Sequence, residues 1–210
     1  MGRVIMTPPS NPSESEPADG GTTGVSLYGA AVEYAIHCLL WLAPSREQPA
    51  SSRDLAELQG VSPAMVAKLM PKLEKAGIVS ARDGVAGGYR LARSADEITV
   101  LDIVEAVDGG KRVFGCREVR LDCILFGGQA PAWAGGGTCS VHAVMLRAEK
   151  SMRREMAGTT LLDLANAVAV KAPPEFGESA DRWLQERTAG RERARISAIR
   201  DGARRRAEER

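Results

Sequence analysis

Hydrophobic positions recur at helical steps through most of the chain. Ala30, Ala31, Tyr34, Ala35, Cys38, Leu39 and Leu42 fall three or four residues apart, which predicts an amphipathic helix ending near Pro44. After a polar loop from Ser45 to Ala50, Ser51-Ser52 offer N-caps for a short helix through Leu58, with Leu55 and Leu58 turned inward. Gln59-Gly60-Val61 then reads as a tight turn. Ser62 at a cap and Pro63 at the first helical position open a third helix, with Val66, Leu69, Met70 and Leu73 as its buried stripe and Gly77 closing it. Pro71 inside that helix removes one hydrogen bond and is expected to bend it near Ala67.

The period then changes. Ile78–Arg82 and Tyr89–Leu91 are short strand candidates, and Gly84-Val85-Ala86-Gly87-Gly88 between them predicts a hairpin. Thr99 with Asp102 has capping-box spacing for a helix that Gly109 stops. From Ser140 a helix of roughly 18 residues carries Val141, Val144, Met145, Ala148, Met152 and Met156 on one stripe. A second capping box, Thr160 with Asp163, begins a further short helix. The expected fold class is mainly α with a small β-hairpin wing: a winged helix-turn-helix followed by a long dimerisation helix.

Five segments follow from this pattern. Residues 1–24 hold fourteen Pro, Ser, Gly or Thr and almost nothing to bury, so a disordered extension is expected. Residues 25–109 form the winged helix-turn-helix, 110–139 a cysteine-bearing loop, and 140–170 the dimerisation helix and the helix after it. Residues 171–210 are a polar tail whose last 29 positions carry ten Arg against five acids. It is read as a solvated, partly helical extension, with a non-specific phosphate anchor as the sharper possibility.

Composition narrows the function. The 28 basic and 27 acidic side chains leave a net charge of +1, so no global field announces a polyanionic partner. Between residues 53 and 93, however, seven basic side chains meet four acidic ones, a local excess that the whole-chain balance hides. The longest apolar run, Cys38 to Ala43, is far short of the roughly 20 residues a membrane span needs. With no secretory pattern at the start, a cytoplasmic protein without a membrane partner is expected. Nucleotide-loop, serine-hydrolase and zinc-protease signatures are missing, so an enzyme is not expected.

Helix, helix, turn, helix and glycine-tipped hairpin, in that order, make a module whose third helix fits a major groove and whose arm follows the backbone. Candidate DNA contacts are Ser52, Ser62, Ala64, Ala67 and Lys68 from the helices and Arg82 and Arg90 from the arm. Asp83, just before the first wing glycine, is unfavourable against phosphate, so either the arm contact falls to Arg82 or the operator is read differently.

The cysteines read Cys116-x6-Cys123-x15-Cys139, and Cys139-x2-His142 follows. The other histidine, His37, lies one helical turn after Glu33. Three thiols near an imidazole form a metal-ligand inventory, but the spacing lacks the two tight pairs of a zinc finger. It suits an iron–sulfur cluster, in which a non-thiolate ligand raises the potential. Cys38, beside Leu39-Leu40-Trp41, is expected to be a core thiol. A DNA-binding regulator with a thiol–disulfide or zinc switch and no cluster is the alternative.

Several segments together resemble a known family, the winged-helix regulators that include IscR and NsrR. They are Val61-Ser62-Pro63, Lys72–Val79, the wing tip Gly84-x-x-Gly87-Gly88-Tyr89-x-Leu91, Glu97–Gly109, Cys139-Ser140-Val141-His142 and Thr159–Leu164. The resemblance implies a homodimeric transcription factor, read here as a repressor, on a palindromic double-stranded DNA operator. It also implies a cluster held by Cys116, Cys123 and Cys139, with [2Fe–2S] favoured over [4Fe–4S]. The fourth ligand is left among His142, as in IscR-like members, Glu33, as in NsrR-like members, and the Glu33/His37 pair, as in redox-responsive actinobacterial members, whose pattern is the nearest. The stretch Leu125–Trp133 lengthens the loop beyond the family's usual spacing and bears on the role of Cys123.

Overall fold

The computed structural model describes residues 26–44, 49–84 and 87–208. The extension expected over residues 1–24 lies outside the described residues. Helix α1 (Ala30–Leu42) buries Val32, Ala35, Cys38, Leu39 and Leu42, the stripe its spacing requires. In α2 (Ser52–Gln59) the cap is Ser51, whose Oγ accepts the Asp54 N–H at 3.1 Å; Ser52 is the first helical residue. Leu55 is buried and Leu58 half-buried. Gly60 closes α2 in the left-handed region at φ 66°, a conformation that favours glycine.

Helix α3 (Pro63–Lys75) buries Val66, Leu69, Met70 and Leu73. Ser62 precedes it in extended conformation, but its hydroxyl makes no capping bond, contrary to expectation; Pro63 at the first turn has no N–H to satisfy. Helical structure continues through Pro71 to Lys75. Strands β1 (Val79–Arg82) and β2 (Gly88–Leu91) pair antiparallel, Val79 with Leu91 and Arg82 with Gly88. Glycine is required at the base of β2: a Cβ on Gly88 would meet the Ala50 carbonyl at 2.5 Å, and one on Gly87 would meet the Arg82 oxygen at 2.2 Å. That close approach lets Ala50 and Tyr89 exchange backbone hydrogen bonds of 3.1 and 2.8 Å, tying the start of α2 to the wing.

Helix α4 (Val100–Asp108) begins at the expected reciprocal cap: Thr99 Oγ1 accepts the Asp102 N–H at 3.1 Å, and Asp102 accepts the Thr99 N–H at 3.0 Å. The cysteine loop holds two single 3-10 turns and the four-residue α5 (Ala132–Gly135). Helix α6 (Ser140–Gly158) packs on α4, with Arg153 paired to Glu105. Helix α7 (Leu161–Lys171) starts at the Thr160/Asp163 capping box, and its entry is pinned by Leu161 N–H donating to the Ile98 carbonyl at 2.8 Å. One aliphatic core joins these elements, with Leu39, Leu55, Met70, Leu73, Ile78, Ile98, Ile103 and Leu161 at its fully buried centre.

The polar tail forms α8 (Pro174–Glu208), a helix of 35 residues. Its first half is not a solvated extension. Ala180, Leu184 and Thr188 are buried, Phe176 packs tilted against Trp41 with ring centroids 5.6 Å apart, and Arg187 and Arg191 pair with the buried Asp54 of α2.

Candidate metal centre and nucleic-acid interface

The cysteine loop leaves α4 at Gly109 and returns at Cys139, the residue that precedes α6. The backbone N–H groups at the start of an α-helix have no partners within the helix, and they favour negative charge. At Cys139 those of His142 and Val141 hydrogen-bond the sulfur and hold the thiol below its ordinary pKa; the Arg120 charge works in the same direction. A thiolate is the form that ligates metal. Across from it, Glu118 sits at φ 53°, the one non-glycine residue in the left-handed region among the described residues. That turn places Glu118 Oε1 3.6 Å from the Cys116 sulfur, while Arg120 Nε donates to Oε2 at 2.8 Å. The Arg120 hydrogen bond holds the Glu118 carboxyl below its usual range. Arg120 also donates to the Gly137 carbonyl at 2.6 Å, bracing the returning limb of the loop just before Cys139.

Cys116, Glu118 and His142 form a group of metal-capable side chains whose ligating atoms all lie within 4.8 Å of one another. His142 is half-buried in the first turn of α6, its ring 6.1 Å from that of Phe114. Cys123 and Cys139 are half-exposed and lie outside this group. Glu33 and His37 are exposed on α1 and line a different hollow of about 550 Å³, together with Tyr28 and Ile36, so the chain does not bring them to the cysteine loop by itself. Cys38 is buried, and desolvation raises its pKa to about 11, as befits a core thiol. The sequence reading missed Glu118. Its signal was the Cys116-x-Glu118 spacing, but the inward turn depends on a backbone conformation that spacing does not reveal.

The residues expected at DNA lie at the surface. Ser62, Ala64, Ala67 and Lys68 are exposed at the start of α3, Arg82 and Arg90 are exposed on the two wing strands, and Ser52 is half-exposed at the start of α2. Arg90 Nε reaches the Ser80 hydroxyl across the hairpin at 3.4 Å. Lys72 is bound elsewhere: its Nζ donates to the Val107 carbonyl at 2.7 Å, tying α3 to the last turn of α4.

These features define a winged-helix regulator, and comparison with known proteins agrees. Residues 28–167 match the Rrf2 family, described as an iron-dependent transcriptional regulator, and the chain belongs to that family. It is 35% identical to the protein rrf2 of Nitratidesulfovibrio vulgaris over 118 residues, covering 56% of this chain and 72% of that one. It is 31% identical to the HTH-type transcriptional regulator IscR of Photorhabdus laumondii over 134 residues, 63% of this chain and 75% of the relative. Among solved structures, T. potens IscR superposes with a TM-score of 0.52 at 25% identity, covering 70% of this chain and 91% of that one. The chain is therefore a DNA-binding transcriptional regulator of the Rrf2 family and not an enzyme. Among the described residues, no helix is long and apolar enough to cross a membrane.

Proposed function

We propose that this regulator is a cytoplasmic homodimeric repressor whose affinity for a palindromic operator is set by the redox state or integrity of an iron–sulfur cluster. The observation that carries the reading is the donor set. A thiolate-favouring Cys139 stands at the head of α6, the loop residue Cys116 and His142 of the first turn of α6 lie at ligating separation, and Cys123 lies between the two other loop cysteines in the chain. Cys116, Cys123 and Cys139 would supply the sulfur ligands. His142 fits the fourth position within one subunit, because it lies at ligating separation from Cys116, while one oxygen of the neighbouring Glu118 carboxylate is paired with Arg120. Glu33 and His37, remote on α1, would serve only across a dimer. When bound, such a cluster supplies a one-electron redox centre whose reduction or loss changes the charge on the loop. The resemblance to the IscR-like regulators favours the [2Fe–2S] form.

The chain's own packing supports a route from loop to DNA. Cys139 and His142 head α6, α6 packs on α4 and pairs with it through Arg153 and Glu105, and the last turn of α4 accepts the Lys72 hydrogen bond from α3. A shift of α6 thus reaches the groove-reading helix through two contacts. A tenfold change in operator occupancy needs only about 1.4 kcal/mol of bias.

The test is an anaerobic absorption and electron paramagnetic resonance spectrum of the full chain and of the Cys139→Ala, His142→Ala, Glu33→Ala and His37→Ala variants. Iron with acid-labile sulfide, lost in Cys139→Ala and spectrally altered in His142→Ala, is expected. Colourless protein carrying zinc, or thiols that merely oxidise to a disulfide, would replace the cluster with the alternative switch, which the accessible Cys139 thiol also suits.

A further inference from the structure

We infer that the distal half of α8 is a second DNA-contacting arm, which grips the sugar-phosphate backbone of duplex flanking the operator; the inference rests on the DNA-binding reading. The direction of the helix carries it. Arg187 reaches Glu57 and Asp54, and Arg191, one turn later, reaches Asp54. Successive turns of α8 therefore meet successively earlier residues of α2, so the two helices run antiparallel and α8 heads toward Ser51. Ser51 follows Ala50, which is bonded to Tyr89 of the wing. Beyond Arg191, then, α8 leaves the domain at the edge that also presents Ser52, Arg82 and Arg90.

Its charge fits that destination. Residues 192–206 hold six Arg against Glu192 and Asp201. Arg193, Arg195, Arg200 and Arg205 are exposed and make no ion pair among the described residues. Arg187, Arg191 and Arg195 lie at four-residue steps, and Arg206 returns to the same stripe three turns on. The first two are neutralised by α2; the later two continue the line past its end. The 15 residues from Arg191 to Arg206 extend about 22 Å, the length of about six base pairs at 3.4 Å each. Arginine contacts of this kind position a protein on duplex without reading its sequence.

The experiment first selects a binding sequence with the full chain from a randomised duplex pool. That sequence is then placed in a short duplex without flanks and in one extended by ten base pairs on each side. The comparison is with the full-length variant R193Q/R195Q/R200Q/R205Q/R206Q, its fold checked by thermal melting. On the long duplex the variant is expected to bind at least tenfold more weakly. The slope of its log affinity against log salt should be shallower by about 2 or more, since each lost phosphate contact removes about 0.9. On the short duplex the two proteins should bind alike. Equal affinities on the long duplex, or an equal loss on both duplexes, would overturn the arm and leave the DNA-binding reading intact. A pool that yields no selected sequence would overturn both.

Discussion

The four cysteines show how completely environment separates chemically identical side chains. Cys38 lies in an aliphatic core that offers its thiolate no solvation, whereas Cys139 borrows two backbone N–H groups from a helix start. At neutral pH, iodoacetamide should modify Cys116, Cys123 and Cys139 in the metal-free native protein and spare Cys38 until denaturant is added. Mass spectrometry of the alkylated peptides reads the outcome, and labelling of Cys38 at the rate of the loop thiols would contradict its burial. Cys38 was legible from its neighbours Leu39, Leu40 and Trp41. Glu118 was not, because its approach to Cys116 depends on one left-handed backbone angle and on the Arg120 brace.

Among the elements, those that close on themselves locally could be read in advance. The Thr99/Asp102 and Thr160/Asp163 boxes each complete a reciprocal pair within four residues, and both helices start where the spacing places them. Replacing Thr99 with Ala should therefore cost about 1 kcal/mol in denaturant unfolding, as cap losses do; an unchanged midpoint would mean that the packing of Ile103 and Val104 alone defines α4. Helix α8 is the opposite case. Its composition is polar, and its anchors lie about 130 residues away in sequence, on Asp54 and Glu57 of α2. Buried Asp54 explains the attachment: a carboxylate withdrawn from water requires partners, and Ser51, Arg187 and Arg191 supply them. Arg191→Gln should lower stability by about 1–2 kcal/mol, less than for a fully buried pair because the arginine is partly solvated. An unaltered melting temperature would show that the α8 contact adds nothing.

For the whole molecule, α6 would link the loop to assembly in the proposed dimer. One side of it rests on α4, while Val141 and Val144, at 62% and 53% exposure, lie open with Ala148 on the stripe expected to meet a second copy. Val144→Glu should convert the proposed dimer to monomer in sedimentation and abolish tight operator binding; a dimeric profile unchanged from wild type would place the interface elsewhere, and a monomeric wild type would contradict the dimer itself.

The most direct measurement is operator affinity by titration of one anaerobic preparation, before and after its iron is removed by chelation, with the Cys139→Ala variant alongside. The two wild-type states should differ in affinity by at least tenfold, and the variant should bind as the iron-free state does with or without chelator. Identical affinities for the two wild-type states, or a preparation that holds no iron at the outset, would contradict control of DNA binding from the cysteine loop by a cluster.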